Sequence, residues 1–125
     1  MIFDALYRQG NILGAALHAS SVRNDVIVNN IANNDVPGFK AKTVDFEASL
    51  IKAINNFKNT GVLDLSGAKA SVRTLNEHLS YRIDQNSVDI EIEMVNLYKN
   101  AIKFEAMINC VQRNSARLSL ALTGR

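Results

Sequence analysis

Ile90, Met94, Leu97, Ala101, Phe104, Ile108, Val111, Ser115, Leu118 and Leu122 recur at alternating steps of four and three. That spacing holds one stripe on one side of an α-helix through more than four heptads, and no other feature of the chain limits its fold as strongly. Asp89 is placed as the N-cap of such a helix. Glu91 and Glu93 fall in its first turn, where the helix dipole favours negative charge, Arg113 and Arg117 lie toward its end, and Gly124 supplies a stop. The N-terminal segment repeats the pattern less strictly through Phe3, Leu6, Gly10, Leu13, Leu17, Ser20, Asn24, Ile27 and Ile31. Gly10, Ser20 and Asn24 interrupt that seam, and Gly10 and Gly14 each weaken an isolated helix by about 1 kcal/mol relative to Ala. These residues are either local imperfections or places where a partner backbone comes close and an amide sets the register.

Each terminal helix would be roughly 50 Å long, too long for the width of a small globule, so the two are expected to pack lengthwise. The expected fold is mainly α: long N- and C-terminal helices paired as a coiled coil, with a short middle helix and a loop or extended segment. Leu97, Phe104, Ile108, Val111 and Leu118 would form the seam with Leu6, Leu13, Leu17 and Ile27. A second set on the C-terminal helix, Val95, Tyr98, Ile102, Glu105 and Asn109, runs beside the first, and Ile12, Ala16, Val26 and Val28 widen the N-terminal stripe. One partner helix cannot cover that breadth, which points to contact with other subunits.

The boundaries follow from this. Residues 1–34 read as the N-terminal coiled-coil helix, 35–88 as a turn, short helix and irregular or extended segment, and 89–125 as the C-terminal coiled-coil helix. Aromatic residues make up 6% of the chain, with no Trp and a single Pro, so helix breakers are scarce and the bulk that fills a globular centre is thin. In the middle, Phe46, Leu50, Ile54 and Phe57 predict an amphipathic helix over about 44–58, capped by Thr43 or Asp45. Residues 58–70 read as loop. Leu79, Tyr81 and Ile83 alternate with polar residues and predict a short extended segment paired near Val72.

The bend "NNIANNDVPGFKAK" holds the one proline. Pro37 stops the first helix near Asn33 or Asn34 and pushes Val36 to an extended conformation. Pro37 and Gly38 suit the central positions of a type II turn, with Gly38 taking the positive dihedral. Asn33, Asn34 and Asp35 tolerate the left-handed conformation and can satisfy the orphan groups of a frayed helix end.

Chemistry is harder to find. The net charge of +2 is spread along the chain without the basic run of a nucleic-acid arm. One cysteine, Cys110, excludes an internal disulfide and reads as a buried, inert thiol. No segment reaches the roughly 20 apolar residues of a membrane span, and the N-terminus lacks the pattern of a cleaved secretory signal. His18 and His78 stand outside any catalytic or metal-ligand spacing, and no phosphate loop occurs, so no catalytic residue, metal site or cofactor is expected. Asparagine occurs 15 times, but without catalytic spacing. The bend therefore reads as a device of shape and assembly.

Asn30, Ile31, Ala32, Asn33, Pro37, Gly38 and Phe39, together with the helix that runs from Asp89, resemble the flagellar basal-body rod proteins. The first group is similar to that family's N-I-A-N-x-x-T-P-G-F/Y signature. Val36 stands where Thr is usual, which removes a hydroxyl and keeps the β-branched shape. Residues 39–50 and 86–108 look most like the family's proximal-rod members, whereas the middle is poorly covered. The resemblance implies a structural subunit that leaves the cytoplasm through the flagellar type III apparatus without a cleaved signal and polymerises with its terminal helices lining the inner tube. It implies copies of the chain itself, other rod proteins, the adaptor between MS ring and rod, and the export gate as partners. Phe3 and Tyr7 are a faint match to the family's export-gate signal, although Phe3 is equally a seam residue. The Val36–Phe39 turn would set the angle at which the chain leaves the tube and carry Lys40 and Lys42 toward the next layer. Folding and polymerisation would be one step, since helices this polar and under-covered stay loosely ordered alone. Two rivals stand beside this: a soluble helical coiled-coil adaptor that bridges partners without polymerising, and another axial rod protein of the same family.

Overall fold

The computed structural model describes residues 2–75 and 82–124. Helix α1 (Ile2–Ala32) leads through a turn to strand β1 (Lys42–Asp45), helix α2 (Glu47–Thr60), strand β2 (Ser71–Thr74) and helix α3 (Ile90–Thr123). The long helices α1 and α3 pack against each other as an antiparallel hairpin, and the middle segment folds back along α1, with β1 near the turn and the end of α2 reaching Arg8.

The ends of α3 follow the local chemistry read from the sequence. Asp89 Oδ1 accepts the amide hydrogens of Glu91 and Ile92 at 3.0 and 3.2 Å. Gly124 takes φ +65° and donates its N–H to the Leu120 carbonyl. Helix α1 ends differently. The Asn33 N–H is shared between the carbonyls of Asn29 and Asn30, tightening the last turn before Pro37.

The middle departs from expectation in three ways. Helix α2 begins at Glu47, and Thr43 and Asp45 do not cap it, because both lie in β1. The Asp45 carboxylate instead accepts from Arg73 Nε at 2.7 Å. Val72 does belong to a strand, but its partner is Val44, in an antiparallel ribbon running from Lys42↔Thr74 to Asp45↔Ser71. Leu79 and Tyr81 of the expected extended segment lie outside the described residues, and Ile83 is in a turn.

The core is small. Ala19, Phe46, Ala53 and Ala68 form its buried cluster, with Ala15, Ala16 and Leu50 against it. Alanines on one side of α1 leave room for Phe46, the one large residue among them, and β1 delivers Phe46 to that spot. Arg8 lies over the Phe57 ring at 5.1 Å, tying the far end of α2 to α1. Arg23 Nη2 donates to both carboxylate oxygens of Glu47, at 2.7 and 2.8 Å, and to the Val44 carbonyl. This clasp fixes the β1–α2 corner against α1.

Candidate assembly site

Among the described residues, the largest fully buried side chains are two asparagines, Asn30 and Asn86. Burying an amide is unfavourable unless its donors and acceptor are all engaged, and both residues meet that condition. Asn30 Nδ2 donates to the Lys42 carbonyl at 2.8 Å while its Oδ1 accepts the Lys42 N–H at 2.9 Å. The side chain thus pairs with the start of β1 as a neighbouring strand would. Asn86 Nδ2 donates to the carbonyls of Asn33, Asn34 and Val36, at 3.0, 2.8 and 2.8 Å, and its Oδ1 accepts the Val88 N–H at 2.7 Å. One amide therefore collects the orphan carbonyls at the end of α1 and joins them to the approach to α3.

Around this pair the bend is closed by backbone contacts. Phe39 N–H bonds to the Val36 carbonyl across Pro37 and Gly38, and Gly38 has φ +72°, the pattern of a type II turn. Gly38 N–H donates to the Asp84 carbonyl at 2.9 Å, Ser87 N–H donates to the Phe39 carbonyl at 3.1 Å, and Ala41 N–H donates to Ser87 Oγ at 2.8 Å. Asn33, Asn34 and Asp35 do not adopt the left-handed conformation. Among the described non-glycine residues only Gln85 has a positive φ, +62°. The reason lies in the partners: Asn86 satisfies the carbonyls that a left-handed cap would otherwise serve, and Gln85 takes the strained geometry that turns Asn86 inward. Lys40 Nζ donates to the Gln85 carbonyl at 3.0 Å, a contact within the chain on the exposed side of the bend.

Glu93 belongs to this junction as well, rather than serving only the helix dipole. It is buried beside Asn30. Burial pushes its pKa above the usual carboxylate value, the hydrogen bond with Asn30 opposes that shift, and the nearby Asp89 charge adds to it. Nearly three turns of α1 from Asn30, Ser20 Oγ donates to Asn100 Oδ1 and Asn100 Nδ2 donates to the Ser20 carbonyl, both at 2.9 Å in a buried setting. This pair fixes the register between α1 and α3. Asn24, read from sequence as a register amide, is half-buried one turn away and lines a neighbouring pocket with Ser20 and Asn100.

The residues of the signature are therefore brought together at one junction but do unequal work. Asn30 is buried, Ile31, Asn33 and Phe39 are half-buried, and Ala32, Pro37 and Gly38 are exposed. The seam residues divide by position. Ile27 is buried near the junction, Leu97 and Ile108 are half-buried, and Phe104 is still 36% exposed. Toward the open end, Leu6, Leu13, Leu17, Val111 and Leu118 line a cleft of about 670 Å³. Gly10 and Gly14 lie in the same cleft, and a Cβ on either would meet nothing within 4 Å, so among the described residues no backbone approaches them closely.

Asn86, Asn100, Glu93 and Arg23 were not singled out for these contacts from sequence. A signal existed for one of them: Ser20 interrupts an apolar seam, and a polar seam residue needs a polar group opposite. Asn86 had no comparable signal, because its partners are backbone carbonyls 50 or more positions away.

What the junction offers is shape held by hydrogen bonds. Among the described residues no group of His, Cys, Asp and Glu could hold a metal ion, and no helix is long and apolar enough to cross a membrane. His18 is exposed, and Cys110 is half-buried.

Comparison with known proteins places this geometry. A family model described as "Flagella basal body rod protein" matches residues 11–40, the stretch from the open cleft through the bend. The chain is 32% identical over 116 residues to the flagellar basal body rod protein FlgB of Bacillus subtilis (strain 168), covering 87% of this chain and 88% of the relative. It is 33% identical over 124 residues to FlgB of Proteus mirabilis (strain HI4320), covering 88% and 90%. It is 35% identical over 112 residues to FlgB of Borrelia hermsii, covering 74% and 79%. The chain belongs to the FlgB family of flagellar basal body rod proteins, structural subunits of the rod.

Proposed function

We propose that this chain builds the proximal part of the rod of the flagellar basal body by stacking with copies of itself and with other rod proteins. The adaptor between MS ring and rod and the export gate are its neighbours at the base, and it reaches them through the flagellar export apparatus without a cleaved signal. In the assembled rod its long helices lie lengthwise, transmit torque and line the tube through which later subunits pass. The assembly motif is Asn30 to Phe39, and the packing seam joins Leu6, Leu13, Leu17 and Ile27 to Leu97, Phe104, Ile108, Val111 and Leu118.

One observation carries this reading. The largest fully buried side chains among the described residues are amides, while Tyr7, Val95, Tyr98, Ile102 and Leu122 stand in water on the two long helices. A hairpin of this kind has its geometry fixed internally and its apolar surface left for neighbours to cover. Contacts between unlike surfaces, repeated without closure, give a filament.

Replacement of Gly38 tests the reading at the bend. A β-branched residue at φ +72° is strained whatever the space around it, so Gly38→Val should destabilise the turn by about 1–2 kcal/mol. A strain carrying only that variant should lose motility and incorporate less of the chain into basal bodies. Normal swimming with normal incorporation would count against a role for the bend in assembly. Should the isolated wild-type chain form a cooperatively folded closed oligomer, the free-standing adaptor becomes the better reading.

A further inference from the structure

The outward side of α3 carries a pattern that the hairpin leaves unused. Glu91, Val95, Tyr98, Ile102 and Glu105 follow one another at steps of four and three, so they share the side of α3 turned away from α1. Val95, Tyr98 and Ile102 are 48%, 64% and 69% exposed. A glutamate closes this apolar row at each end, and neither glutamate has an ion-pair partner among the described residues. The apolar part is about 10 Å long and the glutamates lie about 21 Å apart.

The complementary surface is the cleft at the open end of the hairpin. From Leu6 to Leu17 it extends about 16 Å along α1, enough to take the apolar row, and Gly10 and Gly14 leave its α1 side without bulk. Asn114 stands at its edge and also lines the adjoining pocket that holds Arg113 and Arg117. Neither arginine is in an ion pair among the described residues. One surface is an apolar row with a glutamate at each end, and the other is a largely apolar cleft that has Asp4 in its wall and the Arg113–Arg117 pair beside its α3 side.

We infer that the Glu91–Glu105 face of one copy seats in the Leu6–Leu17 cleft of a second copy of this chain. The inference rests on the rod-subunit reading and names the contact it uses. Apolar burial supplies the adhesion, and the rim charges choose partner and register. The two surfaces differ and lie about 25 Å apart along α3, measured from Tyr98 to Ser115. The contact is therefore heterologous, and its repetition extends a stack instead of closing a dimer.

Cysteine pairing in assembled basal bodies tests this. The full chain, with Cys110→Ser, Gly14→Cys and Tyr98→Cys, is expressed in cells lacking the native copy, and isolated basal bodies are oxidised. Tyr98 is exposed and a side chain at Gly14 enters open space, so both changes leave the hairpin intact. A ladder of multimers that needs both cysteines is the expected result. Reversing Arg113 and Arg117 to Glu should reduce the ladder about tenfold, as should Glu91→Lys with Glu105→Lys, while co-expression of the two charge variants should restore it. Basal bodies that contain the chain but yield no ladder overturn this contact and leave the rod assignment standing. Dimers formed by Tyr98→Cys alone, or a failure of the charge variants to complement, overturn it equally. Absence of the chain from basal bodies overturns both readings.

Discussion

At the turn end of the hairpin, α1, β1 and the approach to α3 meet around Asn30 and Asn86, and every polar atom of those two side chains has a partner. At the open end, the same two helices face each other across a cleft walled by Leu6, Leu13, Leu17, Val111 and Leu118. The first region is finished and the second is not. Hydrogen bonds are directional and specify a geometry while covering little area, so a junction of amides and carbonyls can be complete within one small chain. Leucines contribute only as water is removed from them, and two helices side by side cannot remove it from every direction. The chain thus carries its own angle and register, and leaves its apolar surface to neighbours.

The sharpest way to break this contrast is to empty the finished end. Asn86→Ala removes the donors to three carbonyls and the acceptor for Val88, and should cost about 3 kcal/mol. Limited proteolysis should then cut between residues 33 and 39, and an unchanged cutting pattern would show that the clamp is dispensable. Leu118→Ala asks the opposite question. In the isolated chain it should cost about 1 kcal/mol or less, because Leu118 is only half-buried there, yet it should reduce incorporation into basal bodies far more than that suggests. A large loss of stability in the isolated chain would mean that the open end is already packed.

The smallest effect concerns Glu93. Its folded pKa lies above the unfolded value of 4.5, chiefly through burial. Such a carboxyl favours folding in its protonated form, and that contribution is complete below the unfolded value and is lost as pH rises through the folded one. Glu93→Gln should therefore raise stability at neutral pH by denaturant unfolding, with the gain shrinking as pH falls toward 4.5. A gain that stays constant between neutral and acid pH would show that the side chain is not titrating in a buried setting.

Much of this architecture could be read from residues alone, and the parts that could not share a physical cause. The helical span of α3, the Asp89 cap, the Gly124 stop and the Pro37–Gly38 turn depend on neighbours within a few positions, so local spacing reports them. The side of α3 that meets α1 was not legible in this way: Ile90, Met94, Ala101, Ser115 and Leu122 of the expected stripe are exposed, while Glu93 and Asn100 are buried. The exposed set of Val95, Tyr98 and Ile102 could also be recognised as surplus to one partner helix. Strand β1 could not, because Thr43 and Asp45 look like helix caps until Arg73 and Val72 arrive from the far side of α2. The contact of Lys40 with the Gln85 carbonyl was equally invisible, because 45 positions separate the two residues.

The order of residues by itself determined two long helices, their lengthwise association, the sharp bend between the first helix and the middle, and more apolar surface than one hairpin can cover. Those follow from periodicity and from the dihedral limits of Pro and Gly, which act over a few bonds. Only the tertiary structure decided which of the 15 asparagines would be buried, where the pair of hydrogen bonds between Asn30 and Lys42 would form, and which glutamate would lie in the junction. An amide is indifferent to burial or exposure until its partners are in place, and here those partners are backbone groups brought together by the fold.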